Sequence, residues 1–361
     1  MYDLNTTAIK DVATTVKCQY GTVRIDVFIT AMTDIQYTVP GALDKVKKLV
    51  SLPRTSNGEL HVRAAAIKSQ FRHHAASALK SLVYDNDVMT IDSHVYLDKG
   101  GVGFHGERSI PVLETIRTHL LDFHSRLFGS VAIRGGVMTV TDAVADPSVA
   151  AHIITGGTRK GMDVPSILER FPSLDREGLE TFLEKQASAG TSETLSVQTL
   201  LPDFEVIPKG TELRGSIILN NPTKVELGLL LLALDEWQGR VIDGEELRIG
   251  GYSGKGMGLV KYHFAFHGMK KDPTNHRKAL TETFLRLSLE PASLLRDSRE
   301  VMTFRNEEGQ VIDEPEIFRE LTTITRDFVA ANRPEIINQI SLFSGKETVK
   351  KEETVKKKKK G

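Results

Sequence analysis

The chain has 361 residues, 40% of them hydrophobic, which is enough to bury one large core or two modest ones. Its single cysteine, Cys18, excludes an intramolecular disulfide. The longest apolar run, Leu227 to Leu234, is far shorter than the roughly 20 residues that a membrane span requires. Together with the lack of an apolar leader, these features predict a reducing, cytoplasmic setting without a membrane partner.

The formal net charge of zero hides an uneven distribution along the chain. Residues 346–361 hold eight Lys and three Glu, or +5, so the remainder carries −5. This tail has no apolar periodicity, which predicts disorder. Any binding of nucleic acid must therefore use a local basic groove, because the chain as a whole has no basic surplus.

Three elements are predicted in the first part of the chain. Apolar and polar residues alternate from Thr22 to Ile29, which indicates a half-buried strand. A helix is expected over about 69–84, with Ser69 as its cap. A further strand or hairpin is expected from Ser130 to Asp142, bent at Gly135-Gly136.

The second part repeats this succession after a polar insertion from Ala143 to Ser196. Alternation from Gly210 to Leu219 predicts a strand, and leucines at helical spacing predict a helix in Lys224 to Trp237. A glycine-rich loop, residues 250–258, leads into a last strand ending at Phe266. The order β-α-β-insertion-β-α-β predicts an α+β fold, a ferredoxin-like (RRM-like) βαββαβ unit with large insertions.

The glycine-rich loop does not fit the known nucleotide-binding loops. A Rossmann or Walker loop lies between a strand and the N-terminus of a helix, whereas here a helix precedes the loop and a strand follows it. Two interpretations stay open. The loop is a flexible turn, or it is a connection whose Tyr252 and Lys255 contact the backbone of a polyanion.

Patterns for other chemistries are weak. The sequence has no HExxH, paired CxxC or GxSxG motif. His263 and His267 are four residues apart on a predicted strand, which separates them by about 13 Å, too far to share a metal ion. We therefore expect no metal, no cofactor and no nucleophilic catalysis.

Four segments occur in an informative order: KSQFRHHAASALKSL, LFGSVAIRGGVMTVTDA, PKGTELRGSIIL and GGYSGKGMGLVKYHF. Together they resemble the RAMP superfamily over roughly residues 22–266. Within it, the chain looks like the seventh Cas family, whose members polymerise along a CRISPR guide RNA. It is most similar to the type IV branch, with the type III branch second.

This resemblance implies an organisation into palm, fingers and thumb. Residues 1–142 and 197–345 would form the palm, with fingers near 85–127 and a thumb-like insertion at 143–196. The implied function is that of a guide-RNA-binding backbone subunit of an antiviral or anti-plasmid effector complex. The implied partners are the guide RNA, other copies of the chain, other effector subunits and, through the guide, a target nucleic acid.

Carried over position by position, the resemblance implies a set of RNA contacts. This sequence has Lys68-Ser69-Gln70 where the family usually has Ser-Gly-Ser-type residues. Lys68, Arg72 and His73 are expected to offer donors at a helix N-terminus, although a surface ion pair is the alternative for Arg72. The implied contacts are Lys68, Ser69, Gln70, Arg72, His73, Arg134, Tyr252, Ser253, Gly254 and Lys255. The mixture of apolar and basic residues in the insertion, which suits a thumb, adds Arg159, Lys160 and Met162 as expected contacts.

Two enzymatic alternatives belong to the same superfamily. Type III relatives cut target RNA with an aspartate after the first strand, and Asp34 occupies that region here without the usual glycine-rich surroundings. A repeat-RNA endonuclease would instead need a general acid or base in the first half of the chain, for which His73 or His74 could serve. The binding role is favoured over both.

Overall fold

The computed structural model describes residues 18, 20–37, 43–44, 49–84, 89–100, 121–130, 135–155, 158–159, 175, 177–178, 181, 199–200, 203–250, 256–271 and 279–344. Its strands are β1 (Thr22–Ala31), β2 (Leu43–Asp44), β3 (Leu49–Val50), β4 (His61–Val62), β5 (Met138–Val140), β6 (Ala143–Ala145), β7 (His152–Ile154), β8 (Thr158–Arg159), β9 (Thr199–Leu200), β10 (Asp203–Val206), β11 (Glu212–Asn220), β12 (Val260–Lys271), β13 (Ala279–Leu289), β14 (Met302–Arg305) and β15 (Val311–Ile312). Its α-helices are α1 (Ala64–Tyr84), α2 (Ile91–Lys99), α3 (Phe123–Phe128), α4 (Lys224–Ile242), α5 (Glu316–Ala331) and α6 (Arg333–Ser344). Short 3₁₀ turns occur at Ala292–Leu294 and Ser298–Glu300.

A long antiparallel sheet organises these elements in the order β15-β14-β13-β12-β1-β11-β6-β4, and β5 also pairs with β11. Its centre, β12-β1-β11 followed by β5 and β6, has the spatial order fourth, first, third and second of a βαββαβ unit. The α+β prediction is therefore confirmed, and the arrangement is compatible with a ferredoxin-like palm with insertions. The strands β2-β3-β10-β7 form a second sheet, and β8 pairs with β9.

The core lies between one face of the long sheet and helices α1 and α4. Val23, Ile25 and Ile29 of β1 are fully buried on this face, as the alternation predicted. Phe71 of α1 packs edge-on against Phe264 of β12 with ring centroids 5.6 Å apart. These contacts fix α1 above the central strands.

Helix α4 begins where the leucine pattern predicted and extends beyond Trp237 to Ile242. Thr223 and Glu226 form a capping box, in which each side chain accepts a hydrogen bond from the other residue's backbone N–H. Gly228 lets α5 approach closely, since an added Cβ would lie 2.2 Å from the carbonyl oxygen of Leu321. No described helix is long and apolar enough to span a membrane.

Helix α1 starts at Ala64, one turn before the predicted position, so the assignment of Ser69 as its cap is wrong. The backbone N–H of Ala64 donates to Oδ1 of Asp142 at 2.7 Å. A carboxylate from the connection between β5 and β6 thus satisfies one N–H at the helix N-terminus, and Ser69 lies inside the helix.

Part of the region predicted as a bent strand or hairpin, residues 131–134, lies outside the described residues. Strand β5 begins at Met138, after Gly136 has packed so closely on the end of α3 that an added Cβ would lie 2.4 Å from the Leu127 oxygen. The long sheet then continues into β6, where Ala143 and Ala145 are buried, so the insertion leaves the sheet after Ala145. The division into palm, fingers and thumb stays a prediction, and the tail 346–361 lies outside the described residues.

A buried histidine is expected to make stability depend on pH. His74 is 3% exposed and stacks on Trp237 with ring centroids 4.8 Å apart. Burial, reinforced by His73 and Arg240, lowers the pKa of His74 to about 3. The unfolded chain, with a histidine pKa of about 6.5, binds more protons between those values, so stability falls as the pH drops below about 6.5.

We expect His74→Phe to reduce the slope of the unfolding free energy against pH, between pH 6.5 and 4.5, by the contribution of about one proton. The reason is that Phe keeps the stacking and removes the titrating group. Urea unfolding at a series of pH values measures this slope. His152→Phe, at an exposed histidine, is the matched control. An unchanged slope in His74→Phe would contradict the assignment.

Candidate nucleic-acid interface

Three chain segments meet at one end of the central strands, and we call this region the loop edge. It comprises residues 32–37 after β1, residues 208–211 before β11, and the base of the glycine-rich loop at 247–250 and 256–259. Asp34 joins all three, since its Oδ1 accepts a hydrogen bond from the N–H of Lys209 and its backbone oxygen accepts one from Gly258, both at 2.8 Å.

Glycine is required at the base of this loop for close packing. Gly250 and Gly258 have positive φ angles of 86° and 82°. An added Cβ would lie 2.0 Å from the oxygen of Gln36 at Gly250, and 2.3 Å from the oxygen of Ile249 at Gly258. The base of the loop is therefore closely packed against the segment after β1 in a conformation that requires glycine. Residues 251–255 lie outside the described residues, so contacts by Tyr252, Ser253, Gly254 and Lys255 stay a prediction.

A groove of about 340 Å³ adjoins the loop edge along helix α1. Ser69, Gln70 and His73 line it, because residues three and four apart share a helix face. Gln70 joins the groove to the loop edge: its Nε2 donates to the backbone oxygen of Arg248 at 2.9 Å, and its Oε1 accepts from the Tyr262 hydroxyl at 2.7 Å. The remaining lining residues are Ala66, His74, Lys99, Trp237, Glu245, Glu246 and Arg248.

Asp98 organises the cations at one side of this groove. Its Oδ1 lies 2.8 Å from Nδ1 of His73 and its Oδ2 lies 3.0 Å from Nζ of Lys99. Although burial opposes it, hydrogen bonds from His73 and Lys99 lower the pKa of Asp98 to about 2, so it is ionised at neutral pH. Glu245 and Glu246 also line the groove, so its surface carries both negative and positive side chains and is not uniformly basic.

Lys68 and Arg72 lie on a different face of α1 from the groove. Nζ of Lys68 donates to the Met138 oxygen at 3.3 Å. The Arg72 guanidinium donates to the backbone oxygens of Leu97 and Gly129, and burial is the main cause that lowers its pKa. Arg72 thus fastens the ends of α2 and α3 to α1, in place of the surface ion pair considered as its alternative.

The expectation that Lys68, Arg72 and His73 offer donors at a helix N-terminus is wrong, because α1 begins at Ala64. Their contact with RNA stays a prediction. Of the other implied contacts, Arg134, Lys160 and Met162 lie outside the described residues. Arg159 belongs to the short strand β8.

Of the residues named for the two enzymatic alternatives, Asp34 and His74 have structural contacts, whereas His73 lines the groove beside Asp98 and its role stays untested. The Asp34 carboxylate is engaged by the Lys209 backbone, and His74 is buried against Trp237. Among the described residues, no group of three or more His, Cys, Asp or Glu side chains could hold a metal ion.

Sequence reasoning missed Lys99 and Arg248 in the groove. Arg248 could have been found from its place immediately before the glycine-rich loop. Lys99 has no local signal, since it reaches the groove only because α2 packs beside α1.

Comparison with known proteins gives little at the level of sequence. No family model matches the chain, and no curated protein matches it. Among solved structures, a chain described as "Type IV-B CRISPR Complex" is similar, with 14% identity and a TM-score of 0.36, over 82% of this chain and 96% of that chain. Because this likeness is weak, the functional proposal rests on the residues of this chain.

We expect Gln70→Leu to destabilise the protein by about 1–3 kcal/mol, because the Tyr262 hydroxyl and the Arg248 oxygen would each lose a hydrogen-bond partner. Chemical denaturation measures the change. Ser69→Ala, at the exposed neighbouring position, is the control and should stay within about 0.5 kcal/mol of the parent. Equal effects of the two substitutions would mean that Gln70 does not join the helix to the loop edge.

Proposed function

We propose that this chain is a guide-RNA-binding backbone subunit of a multi-subunit CRISPR effector complex, and that several copies assemble along one guide. It acts by binding and carries out no catalysis. Its partners are the guide RNA, further copies of the chain and the other effector subunits.

The observation that supports this function is the convergence of the motifs on which the resemblance depends. The α1 segment, the strand beginning at Glu212 and the glycine-rich loop are far apart in the sequence, yet they meet at the groove and the loop edge. The Asp-Ala segment at 142–143 caps α1 from the opposite side. Motifs that are separate in the sequence but adjacent in the fold are what a binding site is expected to show.

The character of this surface suits a guide of any sequence. Exposed Lys209 lies at the loop edge, and Lys99 and His73 line the groove. Cations and backbone N–H groups contact phosphates and position a strand without reading its bases. The bases of a bound guide stay free for pairing with a target.

We expect the double substitution Lys99→Gln and Lys209→Gln to weaken binding of two unrelated single-stranded RNAs by the same factor. The slope of log affinity against log salt should shrink by about 0.7 for each phosphate that the variant no longer neutralises. Fluorescence anisotropy at several salt concentrations measures both quantities. Arg319→Gln, at an exposed arginine of α5, is the control and should change neither.

A loss confined to one of the two RNA sequences would indicate base recognition and contradict the proposed role. Unchanged affinity for both would remove the groove and loop edge from the binding site.

We expect the protein to form RNA-dependent oligomers whose length follows that of the RNA, because one subunit covers only a short segment of a guide. Analytical ultracentrifugation and electron microscopy with RNAs of two lengths measure this. The same protein after nuclease treatment is the control. A strictly monomeric protein on the longer RNA would contradict the backbone role.

A further inference from the structure

The long sheet has a second face, opposite the face that packs against helices α1 and α4. Side chains alternate along a strand, so consecutive residues leave opposite faces. Tyr262 of β12 lies on the core face and reaches Gln70 at the groove, whereas its neighbour His263 lies on the other face. We call this second surface the outer face. Its members include Arg24, Asp26, Phe28, Arg214, Lys261, His263, Arg286, Ser288 and Arg305.

An aromatic residue lies at the centre of the outer face. Phe28 belongs to β1, and its register partners are Arg214 on β11 and His263 on β12. The Phe28 and His263 rings are 5.8 Å apart between centroids, and Cζ of Arg214 is 6.0 Å from the Phe28 centroid. Phe28 is half-buried in the protein, so part of its ring surface is open to solvent.

Cations surround this aromatic pair. Burial, followed by the charges of Arg305, Arg286 and Lys261, lowers the pKa of His263. Arg305 follows Phe304, the register partner of Leu287, so it lies beside Arg286 on the same face. Like charges on neighbouring strands are destabilising unless something neutralises them.

The acidic residues of the region neutralise other cations. Glu290 pairs with Lys261 at 2.5 Å, and Glu212 pairs with Arg214 at 2.7 Å. Within the described part of the chain, no carboxylate forms an ion pair with Arg286 or Arg305, and Nε of Arg286 is buried without a hydrogen-bond partner. Arg305 donates to the neutral oxygens of Ser288 and Gly309. Among the residues that the structure describes, the Arg286–Arg305 pair therefore has no carboxylate as a counter-anion.

We propose that the outer face binds single-stranded nucleic acid, with a base stacked on Phe28 beside His263 and a phosphate held by Arg286 and Arg305. Stacking on an aromatic of a central strand, combined with cations that follow the backbone, is how open sheets bind single strands. An acidic protein segment would satisfy the arginines but would leave the aromatic centre unused. This site goes beyond the proposed guide-binding role, because the groove lies on the helix side of the sheet.

The test uses an eight-nucleotide single-stranded RNA that contains 4-thiouridine, and it measures both affinity and the position of photocrosslinks. We expect crosslinks within residues 22–31 of β1. Phe28→Ala should weaken binding about tenfold, whereas Phe28→Trp should retain it because stacking is kept. The double substitution Arg286→Gln and Arg305→Gln should weaken binding without lowering the melting temperature, since it removes a like-charge pair. Arg299→Gln, at an exposed arginine elsewhere, is the control.

Every variant is compared in the parent chain and in the Lys99→Gln, Lys209→Gln chain. Loss of β1 crosslinks by the outer-face variants in both backgrounds supports the second site whether or not the groove binds a guide. Absence of β1 crosslinks with unchanged affinity of both outer-face variants would overturn it. A poly-glutamate peptide that binds this face while the RNA does not would also overturn it, because the occupant would then be an acidic protein.

Discussion

The pairing of β1 with both β11 and β12 is the constraint on which the rest of the structure depends. Nine residues of β1 pair with β11 and ten pair with β12, so the strand is held along both edges. Because side chains alternate, this register decides that Ile25 points to the core and Phe28 to the outer face. A slip by one residue would exchange the two faces of β1, burying Arg24 and Asp26 and exposing its apolar side chains. Because one face of β1 must be buried, the same register also decides which side chains lie on the outer face. Both candidate surfaces therefore depend on one register.

Several of the landmark residues in the motifs have structural roles, and this explains how a weak sequence signature can mark a site. Gly215 of β11 makes room for the corner at Ala143, because an added Cβ would lie 3.2 Å from the Ala143 Cα. That corner brings the Asp142 carboxylate to the N-terminus of α1, which in turn orients Gln70 towards Arg248. The motif residues thus lie at positions where backbone segments must pack closely against one another.

Elements with a clear internal period could be predicted from the sequence, and elements that depend on distant partners could not. β1, β11 and α4 carry complete alternating or helical patterns, so their positions were predicted to within a few residues. The start of α1 was missed because its cap is 78 residues away along the chain. Strand β13 was not predicted, although Leu285, Leu287 and Leu289 alternate with Arg286 and Ser288, so its pattern alone was sufficient. In the groove, the α1 residues share a helix face and were predictable as a group, whereas Lys99 arrives only through packing.

A chain with zero net charge can bind a polyanion if its charges are separated locally, and this protein separates them in two ways. In the groove, Asp98 holds the side chains of His73 and Lys99 in place, and it neutralises part of the Lys99 charge. On the outer face, Arg286 and Arg305 lie side by side and no described carboxylate pairs with either, and their repulsion is tolerated because β13 buries Leu285, Leu287 and Leu289 on its core face. An anion between the two arginines would remove that repulsion. Since a ligand that binds only the folded state stabilises it by mass action, occupancy of the outer face and stability of the β13–β14 edge should rise together.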